Sequence, residues 1–395
     1  MEAAYTVFLD LALIITFAKF FGLVARKCKM PQVVGEILAG LIIGPCILNW
    51  VQLTDYIGKT AEIGVVLLMF GTGLGTNLND LKKAGPKALA IACAGVFIPL
   101  VCGAGLYGAF YGFDTVGSPE FFKAVFMGVI MTATSVSITV ATLQELGKIN
   151  SFIGTTIVSA AIIDDVIGIL VLTCVVSMGT ASGGIGMVFA KTGMFIVFSV
   201  IVAFIGYKTM KKIDNRYPHT QRVPIISLAF CFAMAYLAEA WFGVADITGA
   251  YIAGVILCSI QDAGYVSRKI DISSYMLFGP VFFASVGLKT DISGLTPAIL
   301  IFSICFVLVA MFSKIIGCGL VSRVVGFKGK DMLKIGVGMM TRGEVALIVA
   351  QKGLDVGMID SVYFAAVILL ILISSIMTPI CLKVLFREKN AVVAE

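Results

Sequence analysis

The stretch SAAIIDDVIGILVL, residues 159–172, sets two adjacent aspartates, Asp164 and Asp165, inside a run of isoleucine, valine, leucine and alanine. No other charged residue occurs between Phe152 and Met178, and Asp164 is the thirteenth of those 27 residues. A helix rises about 1.5 Å per residue, so about 20 apolar residues cross a bilayer, and the pair falls near its midplane. One aspartate at that depth costs about 2.5–3.5 kcal/mol, and two cost about 5–7 kcal/mol. Such a penalty calls for partners or a task. Neighbours on a helix point about 100° apart. One carboxylate can therefore face a cationic partner while the other faces a cavity.

The rest of the chain resembles this run in composition. Of its 395 residues, 59 % are hydrophobic and 13 % are charged, against about 25 % charged in a soluble domain. That leaves too little polar surface for water, and the bilayer is the natural solvent. Only helices or closed barrels satisfy their own backbone there. Apolar runs near 20 residues suit helices rather than strands of about ten. Thirteen candidate spans result, at 5–26, 31–49, 61–78, 86–111, 121–145, 152–178, 187–207, 222–242, 246–260, 273–288, 296–322, 331–352 and 361–386. The chain thus reads as an all-α polytopic membrane protein. The first span begins near Tyr5 without a basic leader, and nine residues follow Phe386, so neither a cleaved signal nor a soluble domain is expected.

Alternate loops are basic. One set holds Arg26, Lys27 and Lys29, then Lys82 and Lys83, Lys148, then Lys208, Lys211, Lys212 and Arg216, then Arg268 and Lys269, Lys328 and Lys330, and finally Lys383, Arg387 and Lys389. The positive-inside rule assigns that set to the cytoplasm, with the amino terminus outside and the carboxyl terminus inside a cell membrane. Setting the seventh span aside leaves two six-helix halves. An offset of seven spans makes the second half enter from the opposite face, an inverted repeat of the kind secondary transporters use. The fifth member of each half is interrupted: TATSVSITVAT at 132–142 and MTRGEVALIVAQKG at 340–353. Polar, helix-weakening tracts at matching places in two halves point to a transporter binding site.

Lys314, in LVAMFSKIIGCGLV at 308–321, lies too deep for easy snorkelling and is a candidate partner for one aspartate. Burial favours the neutral form of both groups, so such a pair can switch its ionisation near physiological pH. Arg342 and Glu344, separated by Gly343, form a second charged pair where the backbone can break. Thr132, Thr134, Ser135, Ser137 and Thr139 offer the oxygens that hard cations prefer. Gly40 and Gly44 form a GxxxG, a mark of close helix packing and a candidate subunit contact. Glu36 and Glu62 read as solvated or structural, and Lys19 as snorkelling. The ten cysteines are scattered in apolar spans, without the spacing of a metal site or disulfide framework. GTGLGT at 71–76 lacks the spacing and strand context of a nucleotide fingerprint, which argues against a primary pump. The single histidine, His219, is in a loop, so carboxylates and lysine must carry any proton through the membrane. No cofactor and no nucleic acid partner is expected.

MPQVVGEILAGLIIGP (30–45), TATSVSITVATLQELG (132–147), IIDDVIG (162–168) and TRGEVALIVA (341–350) resemble the Nap-type sodium/proton antiporters and their Kef-type relatives, in the second cation:proton antiporter family. The resemblance extends over nearly the whole chain. It implies two crossed, unwound helices beside the Asp-Asp helix. It implies that Asp165 binds Na⁺ or a proton, that Asp164 contributes to the same Na⁺ site and pairs with Lys314 when no ion is present, and that Thr134 and Ser135 add oxygens. Arg342 and Glu344 compensate charge. It implies an elevator and a homodimer, with scaffold segments 1–83 and 213–291, a translocating core at 84–178 and 292–388, a linker helix at 179–212 and a tail at 389–395. Paired aspartates imply electrogenic exchange of Na⁺, with Li⁺ a further candidate, for more than one proton. Where relatives often carry proline before the Arg-Gly-Glu tract, this chain has Thr341. Three alternatives stay open: K⁺/H⁺ exchange, a Kef-like potassium efflux pore, and a sodium-coupled symporter on the same fold.

Overall fold

In a chain this rich in apolar residues, the polar residues fix where helices begin and end. Ser118 Oγ accepts the Phe121 amide at 3.1 Å ahead of Pro119, and Thr296 caps a later helix the same way ahead of Pro297. Each cap satisfies an otherwise orphaned amide, and proline at the first helical position sacrifices none. Gly243, at φ 63°, closes another helix in the left-handed conformation that suits glycine.

The computed structural model describes residues 5–28, 32–76, 85–149, 151–180, 185–289 and 296–386. It omits the side chains of Ser137, Ala141, Gln144, Glu145, Thr180, residues 185–189, Thr192 and Glu344. Lys29, Lys82, Lys83, Arg387, Lys389 and the tail 389–395 lie outside the described residues. All regular elements among the described residues are helical. They are α1 (Thr6–Lys27), α2 (Gln32–Ile43), α3 (Asp55–Leu74), α4 (Gly85–Tyr111), α5 (Pro119–Thr132), α6 (Val136–Glu145), α7 (Phe152–Thr180) and α8 (Ile185–Arg216). The chain continues with α9 (Arg222–Phe242), α10 (Asp246–Leu257), α11 (Ala263–Ser273), a π-helical turn (Ser274–Phe278) and α12 (Gly279–Lys289). It ends with α13 (Pro297–Val324), α14 (Lys330–Gly338), α15 (Glu344–Asp355), a 3₁₀ turn (Ser361–Tyr363) and α16 (Phe364–Phe386).

Nine helical stretches among the described residues are long and apolar enough to cross a membrane. Four of the expected spans are shortened or split. The stretch 31–49 is helical only to Ile43, because Gly44-Pro45 stops the helix and Leu48, Trp50 and Val51 fold back to bond the carbonyls of Ile42 and Ile43. The stretch 246–260 gives the 12-residue α10. The stretches 121–145 and 331–352 are each split into two short helices. Elsewhere α8 runs on to Arg216, and α11 joins α12 through the π-helical turn, so that helix starts ten residues before the expected 273.

Contacts divide the chain into two units, each assembled from separated stretches. One comprises Met1–Asn79, Ile169–Leu295 and Gly353–Val362. In it α2 packs on α1 and α12, and α3 packs on α10. A Cβ on Gly40 would strike the Ala284 backbone, so the GxxxG glycine lets α2 and α12 of one chain meet. That corrects the reading of Gly40 as a subunit contact. Of the two readings of Glu36 the structural one fits: it is 4 % exposed and accepts from Lys19 and Gln32. Apolar side chains on α8, among them Val200, Phe204 and Ile205, are exposed, as a lipid-facing helix requires.

The other unit comprises Asp80–Gly168, Thr296–Lys352 and Tyr363–Glu395. Here α13 packs along α4 and against α14 and α16, and α4 also packs on α5. The acidic part of α7 and both interrupted helices belong to this unit.

Candidate ion site

The helical ladder stops at Thr132 and resumes at Val136, and stops at Gly338 and resumes at Glu344. Ala133 is extended at φ −56°, ψ 133°. Thr132 Oγ1 bonds its own Val129 carbonyl at 2.8 Å, competing with the ladder. The two breaks bond each other: the Ser135 amide donates to the Thr341 carbonyl at 2.8 Å, and Thr139 Oγ1 donates to the Gly338 carbonyl at 2.9 Å. A Cβ on Gly343 would lie 2.6 Å from Ser135 Oγ, so only glycine fits that crossing. The break in the second tract exists without proline. Gly338, Gly343 and the exchanged hydrogen bonds replace it.

A helix end leaves carbonyls without amide partners and carries partial negative charge. Two such ends meet here, and Arg342 serves both. Its guanidinium is fully buried. Nη2 donates to the Met131 carbonyl at 2.6 Å and the Ala310 carbonyl at 3.2 Å, and Nη1 to the Met339 and Met340 carbonyls at 3.3 and 3.2 Å. Its own amide donates to Ser374 Oγ and its carbonyl accepts from Ser375 Oγ. The fork of five donors on guanidinium suits this divergent set of acceptors.

Beside the crossing, α7 presents Asp164 and α13 presents Lys314. Lys314 Nζ lies 2.6 Å from Asp164 Oδ1, with the lysine side chain 0 % and the aspartate 1 % exposed. Thr134 Oγ1, from the first break, donates to Asp164 Oδ2 at 2.7 Å. Both oxygens of Asp164 therefore have a donor from another element. Asp165, one residue on, is half-buried. α4 gives way to the pair at Gly95, where a Cβ would lie 2.7 Å from Asp164 Oδ1 and 3.0 Å from Lys314 Nζ. One buried acid, Asp164, two buried cations, a hydroxyl and two helix breaks make a polar centre, with the half-buried Asp165 next in sequence. Removing one partner of such a buried pair costs about 3–5 kcal/mol.

A family model described as sodium/hydrogen exchanger, transmembrane, matches residues 12–388. The chain belongs to this family. It is 33 % identical over 384 residues to the Na(+)/H(+)-K(+) antiporter GerN of Bacillus cereus, with 97 % of each chain covered. It is 36 % identical over 383 residues to the probable Na(+)/H(+) antiporter GerT of the same organism, covering 96 % of this chain and 99 % of that one. Its fold is similar to that of the sodium proton antiporter MjNhaP1 from Methanocaldococcus jannaschii, with a TM-score of 0.73, 18 % identity and 94 % of each chain covered.

In this exchanger the fold brings Asp164, Lys314, Thr134, Ser135 and Arg342 into one buried region of a single unit. Ser135 is 1 % exposed and contributes its amide to the crossing. Thr139 bonds a carbonyl and approaches Thr341 Oγ1 at 3.3 Å, so it supports the break. The side chains of Glu344 and Ser137 lie outside the described residues, and the expected Arg342–Glu344 pairing with them. The contacts of Arg342 described above are all with backbone carbonyls and the serines of α16. Sequence reasoning missed Gly95, Ser374 and Ser375. A glycine among several in α4 carries no mark of the ion pair it admits. The serines of α16 gain meaning only from their contact with Arg342.

Proposed function

We propose that this exchanger is a secondary active, electrogenic Na⁺/H⁺ antiporter of the cell membrane. The observation that supports this reading best is the fully buried Lys314–Asp164 pair at 2.6 Å, with Thr134 on the other carboxylate oxygen and Asp165 next to it. Na⁺ and protons compete for the two carboxylates. With no cation bound, Lys314 neutralises Asp164 and Asp165 carries a proton. An entering Na⁺ takes Asp165 and Asp164, with oxygens from Thr134 and Ser135, and displaces one proton from Asp165 and one from Lys314. Two protons then move against one Na⁺, so one net charge crosses per cycle. Arg342 takes no part in proton exchange in this scheme, because its donors are held by backbone carbonyls.

Coupling follows from solvation. A site whose charge is covered by Na⁺ or by protons crosses the apolar barrier, and an uncovered carboxylate stays in place. The step is an elevator movement of a core at 84–178 and 292–388 against a homodimeric scaffold at 1–83 and 213–291, with 179–212 as linker. Thirteen crossings in two inverted repeats, with the amino terminus outside, complete the proposed arrangement.

Replacing Asp165 with asparagine in proteoliposomes tests the scheme. Na⁺-driven proton movement is expected to fall to the protein-free background, and exchange near the unmodified rate would overturn the assignment. A second reading, K⁺ as cargo, is favoured by K⁺ in the name of the relative GerN. A series of Na⁺, Li⁺ and K⁺ at clamped voltage separates the two.

A further inference from the structure

Two stretches of one compact unit carry charge that ion exchange does not use. Residues 207–222, from the end of α8 into α9, and 261–273, from the turn after α10 through α11, hold seven lysines and arginines against three acids. Two of the acids face inward: Asp214 and Asp262 are each 1 % exposed. Asp214 Oδ2 accepts the amides of Gln261 and Asp262 at 2.8 and 3.2 Å, and Asp262 Oδ2 accepts the His219 amide at 2.6 Å. His219 Nδ1 lies 2.6 Å from Asp262 Oδ1. The acids thus tie the two stretches into one surface, and burial withholds them from the cations outside.

Lys208, Lys211, Lys212 and Arg216 on α8, and Arg268 and Lys269 on α11, are all exposed. None of the six is in an ion pair with an acid among the described residues. Asp271 is the single exposed acid on these stretches, and it accepts from Ser267 at 3.3 Å. On α8 the cations stand three and four residues apart, where like charges destabilise a helix. An anion bound across them relieves that repulsion.

The same helix indicates which anion. α8 has 32 residues; at 1.5 Å per residue that is about 48 Å, against a hydrocarbon layer of about 30 Å. Its last turns therefore emerge at headgroup level. Val197, Val200, Ile201, Phe204 and Ile205 are exposed, and Lys208, Lys211 and Lys212 continue their face at three- and four-residue steps. An acyl chain on the apolar part of this stripe has its phosphate beside the lysines. A soluble anion meets only the basic end, whereas a lipid meets both.

We propose that this surface binds the headgroup of an anionic phospholipid, with Lys208, Lys211 and Lys212 on the phosphate, Arg268 and Lys269 adding to the local field, and the apolar stripe of α8 under the acyl chain. The test is thermal melting of the full chain in detergent with phosphatidylglycerol, phosphatidylcholine or glycerophosphate. A rise of several degrees is expected with phosphatidylglycerol alone, lost in about 1 M choline chloride, which screens exposed charges. The triple variant Lys208→Gln, Lys211→Gln, Lys212→Gln needs at least about tenfold more of that lipid for the same rise. A matched triple in another basic loop, Arg323→Gln, Lys328→Gln, Lys330→Gln, responds like the parent. If the α8 triple does not fold, Arg268→Gln with Lys269→Gln decides by the same loss of response. An equal rise with phosphatidylcholine or with glycerophosphate, an equal loss in the two triples, or an undiminished response in a folded variant of this surface overturns the site.

Discussion

At the scale of single residues, Lys314 and Gly95 carry the sharpest expectations. Lys314→Gln leaves Asp164 buried without its counter-charge, a loss of about 3–5 kcal/mol. Its melting temperature falls. In the proposed cycle it also removes one of two proton carriers. Exchange, where it survives, becomes insensitive to membrane potential, which a voltage-clamped liposome assay reads directly. Gly95→Ala changes no charge but puts a methyl group 2.7 Å from Asp164 Oδ1 and 3.0 Å from Lys314 Nζ. Turnover is expected to drop about tenfold, the equivalent of about 1.4 kcal/mol, with a lower melting point. Unaltered kinetics would show that α4 yields there. Thr134→Val takes the hydroxyl from Asp164 Oδ2 at a cost of about 1–3 kcal/mol. Half-maximal Na⁺ concentration in the exchange assay then rises about tenfold or more.

At the scale of elements, the interrupted helices depend on one side chain. Arg342 satisfies carbonyls from α5, α13 and the second break together. Arg342→Met leaves them unbonded in the protein interior, at about 1–3 kcal/mol for each group left unmade. Loss of folded protein in detergent is expected. Arg342→Lys keeps the charge but offers three donors from one point instead of a planar fork. Partial recovery of melting temperature with impaired exchange is the expected result. Equal loss in the two variants would mean that charge alone restores nothing there and that the planar fork is required. The tracts at 132–142 and 340–353 were visible in the sequence as polar interruptions, since hydroxyl-rich and Arg-Gly-Glu segments oppose a continuous apolar helix. Their mutual hydrogen bonds were not visible, because they join residues about two hundred positions apart.

At the scale of the whole molecule, the exposed apolar faces record the solvent. Phe204 is 74 % exposed on α8, a burial error in water and normal in lipid. Phe204→Arg adds an insertion cost of about 2.5–3.5 kcal/mol, so membrane yield falls while a polar substitution in the loop near Lys148 is tolerated. The proposed orientation predicts that a cysteine replacing Tyr5 in a background without native cysteines reacts with an impermeant maleimide from outside intact cells. Labelling only after lysis would reverse the topology.

The sequence alone determined the bilayer as solvent, the helical class, the positions of most helices and the place of Asp164 and Asp165 midway along an apolar run. Each depends on composition and spacing along one stretch of chain, and a missing charge or an acid at mid-span has one physical meaning there. Lys314 was already a candidate partner in the sequence, and only the tertiary structure decided that Thr134 joins the pair, that Gly95 makes room for it, that Arg342 serves carbonyls, and that Glu36 is buried beside Lys19. Those facts depend on which helices adjoin. In a chain so uniformly apolar, lipid and protein interior look alike to a local pattern, so the choice of neighbour rests on three-dimensional packing.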